Sequence, residues 1–161
     1  MNRLVLSIGL IFALAGCNRA THLPHLGSAA PDFVVQDSDR KVALSDLKGQ
    51  IVILNFWATW CPPCVQEMPS LVQLQKTFKG RGVTVLAVSV DADESAYRKF
   101  LIDHGVDLLT VRDEAQKSNS LYGTMRFPET YIIDRRGIVR RKFIGAIDWN
   151  TPEIAEFLNK L

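Results

Sequence analysis

The chain has 161 residues, 19 Lys and Arg against 17 Asp and Glu, and a net charge of +2. That length suits one domain, and the near balance of charge excludes a protein that holds polyanions through bulk attraction. With 47% hydrophobic and 22% charged residues the chain can fill a core, but no apolar run reaches the about 18 residues that a bilayer-spanning helix needs.

Asn2 and Arg3 give a short positive start, and residues 4–16 (LVLSIGLIFALAG) form an apolar stretch. As a helix it would reach about 20 Å, short of a hydrocarbon core of about 30 Å, so residues 1–16 read as a signal peptide rather than an anchor helix. The stretch ends in Leu14-Ala15-Gly16-Cys17, which resembles the lipobox of bacterial lipoproteins. That resemblance implies lipidation of Cys17 after cleavage before it, and several acyl chains on one residue anchor stably. The plainer reading of the same letters is an ordinary signal followed by a free cysteine. Residues 17–30 follow as the lipidated N-terminus and a flexible tether: they show no periodicity, contain Pro24, Gly27 and Ser28, and would reach about 20 Å. His22 and His25 alone do not make a metal site.

Residues 31–161 read as the folded domain. Residues 32–36 and 41–44 are short strand-like runs around the polar cluster Asp37-Ser38-Asp39-Arg40. Residues 51–56 (IVILNF) suit a strand buried on both faces. Glu67, Leu71, Leu74, Gln75 and Phe78 have helical spacing, ending at Lys79-Gly80. Residues 83–90 (VTVLAVSV) predict a second buried strand, residues 94–104 a helix stopped by Gly105, residues 106–111 a strand, and residues 115–122 a short helix. Residues 131–134, the turn Arg135-Arg136-Gly137 and residues 138–144 predict a β-hairpin. Thr151 caps a last helix with Pro152 at its first position. Strands alternating with helices predict an α/β domain whose parallel, helix-covered sheet gains an antiparallel edge from the hairpin.

Three cysteines are too few, and odd in number, for a disulfide-stapled framework. The chemistry lies in Trp60-Cys61-Pro62-Pro63-Cys64, directly after a buried strand and at the start of a helix. A thiolate there meets unpaired backbone N–H groups and the positive end of the helix dipole, which depresses its pKa. Cys61 is therefore expected as the exposed nucleophile that attacks a substrate disulfide, and Cys64, one turn in and buried, as the resolving thiol. A zinc ribbon would need a second cysteine pair, which is absent. A purely structural disulfide closing so short a loop would add little stability.

The motif FWATWCPPC, the downstream Phe127-Pro128-Glu129-Thr130 and the strand YIID resemble the thioredoxin superfamily, in its membrane-tethered TlpA/ResA/CcmG (DsbE) branch. The resemblance spans residues 31–161. It implies a thioredoxin fold: a central mixed sheet flanked by helices, with an N-terminal β-hairpin and an inserted helix-strand unit that residues 94–111 suit. Phe127-Pro128 resembles the family's cis-proline, which faces the cysteines and presents the Phe127 backbone to an extended substrate segment. Trp60 flanks the site as an exposed substrate-binding ring, whereas Trp57 suits packing equally well. Glu67 matches a glutamate that lies near the cysteines in ResA-like proteins, where it would raise the thiol pKa or act as a base for Cys64. A solvated first-turn glutamate is the alternative reading. Asn55 departs from cytosolic thioredoxins, which carry a buried aspartate there. His104, before Gly105, reads as a helix cap.

Pro62 and Pro63 remove two amides that could solvate the Cys61 thiolate. A less stabilised thiolate predicts a reducing couple, nearer thioredoxin's about −270 mV than DsbA's about −120 mV. The resemblance implies an exported, lipid-anchored thiol-disulfide oxidoreductase that reduces protein disulfides in the bacterial cell envelope, facing the periplasm. It implies as clients the haem-attachment cysteines of apocytochrome c, and as electron source a membrane donor of the DsbD/CcdA type. No G-x-G-x-x-G fingerprint is present, so no cofactor and no metal is expected; nor is nucleic-acid binding, and the domain is expected to be monomeric. The alternatives are a disulfide oxidase and a thiol peroxidase, the second disfavoured because Ala58, not Thr, stands three residues before Cys61. A Sco-type copper chaperone would space its cysteines differently.

Overall fold

The computed structural model describes residues 23–161; the signal segment and Cys17 lie outside the described residues. A short antiparallel hairpin, β1 (Val34–Gln36) with β2 (Lys41–Ala43), leads through the 3-10 turn Leu44–Leu47 into the main sheet. The elements that follow are β3 (Ile51–Trp57), α1 (Pro62–Thr77), β4 (Val83–Ser89), α2 (Glu94–Asp103), β5 (Leu109–Arg112), α3 (Lys117–Leu121), β6 (Glu129–Ile133), β7 (Val139–Ile144) and α4 (Pro152–Asn159). The sheet order is β5-β4-β3-β6-β7. β3, β4 and β5 run parallel, and β6 and β7 run antiparallel to their neighbours. The expected mixed sheet, N-terminal hairpin and α2–β5 insert are all present.

β3 is buried along its whole length, because its two faces pack into different cores. Ile51, Ile53 and Trp57 pack with Met68, Leu71 and Leu74 of α1 and with Ile154 and Leu158 of α4. Val52, Leu54 and Phe56 face the other way, into Phe33, Val35, Tyr122 and Tyr131. A continuous apolar run is what a strand covered on both sides requires. Asn55 shares the α1-side parity of this period-two strand, and that puts a polar side chain on the face that carries the cysteines.

α1 begins at Pro62, as the placing of the cysteine pair at a helix start predicted, with Pro62 and Pro63 at its first two positions. Two differences from the sequence reading have local causes. β5 begins only at Leu109. The segment read as a tether ends earlier than residue 30: the Gly27 N–H donates to the Val139 carbonyl at 2.8 Å, the Val139 N–H to Ser28 at 2.9 Å, and the Ala30 N–H to Gly137 at 2.8 Å. Residues 27–30 therefore cover part of the outer edge of β7.

Candidate active site

Cys61 is the N-cap of α1, in extended backbone conformation, and Cys64 stands at the third helical position. The two form a disulfide with Cα atoms 5.3 Å apart. The Cys64 N–H points at Cys61 Sγ, 3.3 Å away, as N-cap geometry dictates. Cys61 retains only 5% exposure against 1% for Cys64. Cys61 is thus the outer sulfur but not the open one expected: bonded to Cys64, it turns into the helix start and joins the apolar core on the α1 face.

Trp60 stands out of the surface at 62% exposure, its ring edge-on to Phe127 with centroids 6.0 Å apart. The Phe127–Pro128 peptide is cis, and the Pro128 carbonyl accepts the Gly145 N–H at 2.8 Å. Met125 and Ile144, which sequence reasoning did not single out, are exposed apolar side chains next to this loop in sequence and in strand register. Trp57, by contrast, is fully buried against Tyr97 and Phe100. His104 ends α2 as its C-cap, with its ring stacked on Phe100, and takes no part in the site.

Glu67 is not a solvated first-turn glutamate. It is 3% exposed, one turn beyond Cys64 on the same helix face. Burial pushes its carboxyl up to about 7, against the lowering pull of the Trp149 indole N–H, which donates to Oε1. The Ile147 N–H and the Asn55 side chain pull the same way from farther off. Oε2 has no hydrogen-bond partner among the described residues. A buried carboxyl that titrates near neutrality can hold or release a proton under working conditions. Asn55, also buried, donates from Nδ2 to Thr130 Oγ1 at 2.8 Å and itself carries no titratable group.

Three further residues were given no role by the sequence reading. Asp91 follows β4 and holds Thr59, in the loop before Trp60. Glu129, directly after Pro128, is buried; it accepts Thr124 Oγ1 at 2.7 Å and Lys142 Nζ at 2.9 Å, and the Tyr131 hydroxyl as well. Trp149 sits in the connection from β7 to α4. The available signal at Trp149 was an indole in a polar stretch, since a buried indole N–H needs an acceptor; what that acceptor is depends on the fold. Among the described residues no cluster of His, Cys, Asp and Glu could hold a metal ion.

Comparison with known proteins agrees with this geometry. The model of the AhpC/TSA family matches residues 26–142. The thiol-disulfide oxidoreductase ResA of Bacillus thuringiensis is 36% identical over 137 residues, covering 84% of this chain and 78% of the relative. ResA of Bacillus subtilis is 38% identical over 122 residues, covering 75% and 68%. Among solved structures, the protein from Chlorobium tepidum assigned as thiol:disulfide interchange protein DsbE superposes with a TM-score of 0.74 at 34% identity, covering 85% of this chain and 94% of that one. A thiol:disulfide interchange protein from Bacteroides sp. gives 0.74 at 26% identity, covering 84% and 91%.

Proposed function

Because the chain belongs to the AhpC/TSA family, and within it is a thiol-disulfide oxidoreductase of the ResA/DsbE type, we propose that it acts as a lipid-anchored reductant of protein disulfides in the bacterial cell envelope. The observation that carries this reading is the Cys61–Cys64 pair at the start of α1, beside the exposed Trp60 and the Phe127–Pro128 loop.

In the reduced enzyme the Cys61 thiolate attacks one sulfur of a client disulfide. A mixed disulfide forms, and the client's other sulfur leaves as a thiolate. Cys64 passes its proton to Glu67 and attacks Cys61 Sγ, which closes the disulfide and releases the second client thiol. Two electrons pass to the client, whose two displaced thiolates take up one proton from Glu67 and one from water to end as thiols. Trp60, Phe127 and Pro128 receive an extended client segment. Clients of this chemistry include the haem-attachment cysteines of apocytochrome c. Electrons return from a membrane dithiol donor of the DsbD/CcdA type, and the lipid on Cys17 keeps the monomeric domain at the membrane. The thiol peroxidase alternative finds no support in the site, where the hydroxyl of Thr59 is committed to Asp91.

The test is a trap. With Cys64→Ser the mixed disulfide on Cys61 stalls, so disulfide-linked clients accumulate in envelope fractions; with Cys61→Ser none forms. Equal behaviour of the two variants overturns the assignment. A potential above about −180 mV in glutathione equilibration would make the protein an oxidant instead.

A further inference from the structure

Trp149 is fully buried and packs edge-on against Phe143, ring centroids 5.3 Å apart. Packing alone needs only the apolar ring system. The indole adds one group, its N–H, and that group donates to Glu67 Oε1. The backbone fastens the same residue a second time: the Trp149 N–H donates to Ser70 Oγ at 3.3 Å, and that hydroxyl donates to the Glu67 carbonyl at 2.8 Å. The turn of α1 that carries Glu67 is therefore gripped, side chain and main chain, by one residue 82 positions away. The other end of the same connection holds the cis-proline loop through the Gly145 N–H.

A glutamate's terminal torsion is broad and nearly two-fold, so an unheld carboxyl would present either oxygen and move between rotamers. One donor on Oε1 removes that freedom, and Oε2 has no partner among the described residues. We propose that Trp149 is a positioning residue of the thiol-disulfide site, its indole N–H fixing the Glu67 carboxyl so that Oε2 is the oxygen that exchanges the Cys64 proton. This rests on the reading of Glu67 as the proton acceptor of Cys64.

The groups around Glu67 make its titration readable. It opens on a cleft lined by Gln66, Ser70, Ala146, Ile147 and Asp148. Among the described residues, Asp148 is the other titratable group there and no Lys or Arg lines the cleft. Asn55 approaches from the sheet and is neutral, and Cys64 on α1 does not titrate while it is in the disulfide.

The experiment follows the Glu67 side-chain carboxyl by carbon-13 NMR in the oxidised full chain. The signal is assigned with Glu67→Gln and separated from Asp148 with Asp148→Asn. Trp149→Phe removes the donor that favours the ionised form, so the Glu67 midpoint moves upward by about one pH unit, a tenfold gain in proton affinity. Benzothienylalanine at position 149 keeps the indole's shape without the N–H and gives the same shift, so the result survives if the phenylalanine variant fails to fold. In single turnovers on a mixed disulfide, Trp149→Phe slows resolution and moves its pH profile with the NMR midpoint. Glu67→Gln slows it too, and the double variant is no slower than Glu67→Gln alone. If Glu67→Gln leaves resolution untouched, the reading of Glu67 falls. If Glu67→Gln slows it while both changes at 149 leave midpoint and profile in place, Glu67 keeps its role and the proposal for Trp149 is overturned.

Discussion

The carboxylate of Asp91 holds Thr59 twice, accepting its backbone N–H at 3.0 Å and its hydroxyl at 2.7 Å. Ser89 Oγ donates to the same carboxylate at 2.6 Å. Asp91 is 2% exposed, and no cation pairs with its carboxylate among the described residues. Its backbone carbonyl, with that of Ala92, accepts Nη1 of Arg112, whose Nη2 pairs with Glu94 at 3.1 Å. The loop that presents Trp60 and Cys61 is thus pinned to the end of β4 and, through Arg112, to the inserted helix α2.

Asp91→Ala leaves the Thr59 N–H and two hydroxyls facing an apolar gap. The expected loss is about 2–4 kcal/mol of stability in denaturant melts of the oxidised protein. Thr59→Val keeps the packing and one of the two bonds, and should cost about 1 kcal/mol. Thr59→Ser, which retains the hydroxyl, should fall within a few tenths of the parent chain. A valine variant as stable as the serine variant would show that the hydroxyl bond contributes nothing.

Glu67 gives stability a pH signature of the opposite sense to ordinary carboxylates. Its folded-state pKa of about 7 lies above its ordinary value of 4.5. The stability linked to its proton is complete below the unfolded value and is lost as pH rises through the folded one. The oxidised protein should therefore lose about 3 kcal/mol from this group between pH 4.5 and 7.5. Glu67→Gln, which cannot ionise, should flatten that part of the curve and be the more stable chain at pH 8, with the two converging near pH 4. Unfolding in urea at several pH values measures both curves; parallel curves would place the Glu67 carboxyl in water-like surroundings.

Pro128 was legible only through the family resemblance of its motif, whereas the two cysteines were legible from sequence because their chemistry is set by local spacing and by position at a strand end and a helix start. The place of Glu67 was legible for the same reason, three residues beyond Cys64. Its burial was not, since that depends on Trp149 folding over it from the far end of the chain. The grip of Asp91 on Thr59 joins the ends of two parallel strands, a neighbour relation that periodicity does not encode. The early end of the tether was hidden for another reason: residues 27–30 pair through backbone groups, and small residues that pair this way leave no side-chain pattern. The late start of β5 at Leu109 reflects a polar Asp107 inside an otherwise apolar run.

Lys142 compensates a buried acid at the base of the cis-proline loop. Its Nζ lies 2.9 Å from Glu129, whose side chain is almost wholly enclosed while that of Lys142 is about one-third exposed. Lys142→Met removes the cation and leaves the carboxylate with Thr124 and Tyr131 as donors. Partial exposure of the lysine tempers the cost to about 2 kcal/mol at neutral pH. Denaturant melts of both chains decide it; a Lys142→Met chain as stable as the parent would show that the ion pair contributes nothing.

Pro63 leaves the N-cap sulfur one backbone donor short, and the expected consequence is a more reducing potential. An N-cap side chain is solvated by the N–H groups of the second and third helical residues. Here the third, Cys64, donates to Cys61 Sγ, and the second is Pro63, which has no N–H. Pro63 is exposed, so Pro63→Ala disturbs little packing, and any change in chain entropy is shared by the oxidised and reduced forms. The restored amide bonds the sulfur more strongly when it carries charge, as it does in the reduced state, which stabilises the reduced form. A charge-assisted bond of about 1.4 kcal/mol lowers the Cys61 pKa by about one unit and raises the potential by about 30 mV. Glutathione equilibration gives the potential and the pH dependence of alkylation gives the pKa. A pKa that falls while the potential stays fixed would mean that the amide also bonds the sulfur in the disulfide; no change in either would mean that the second N–H does not reach Sγ.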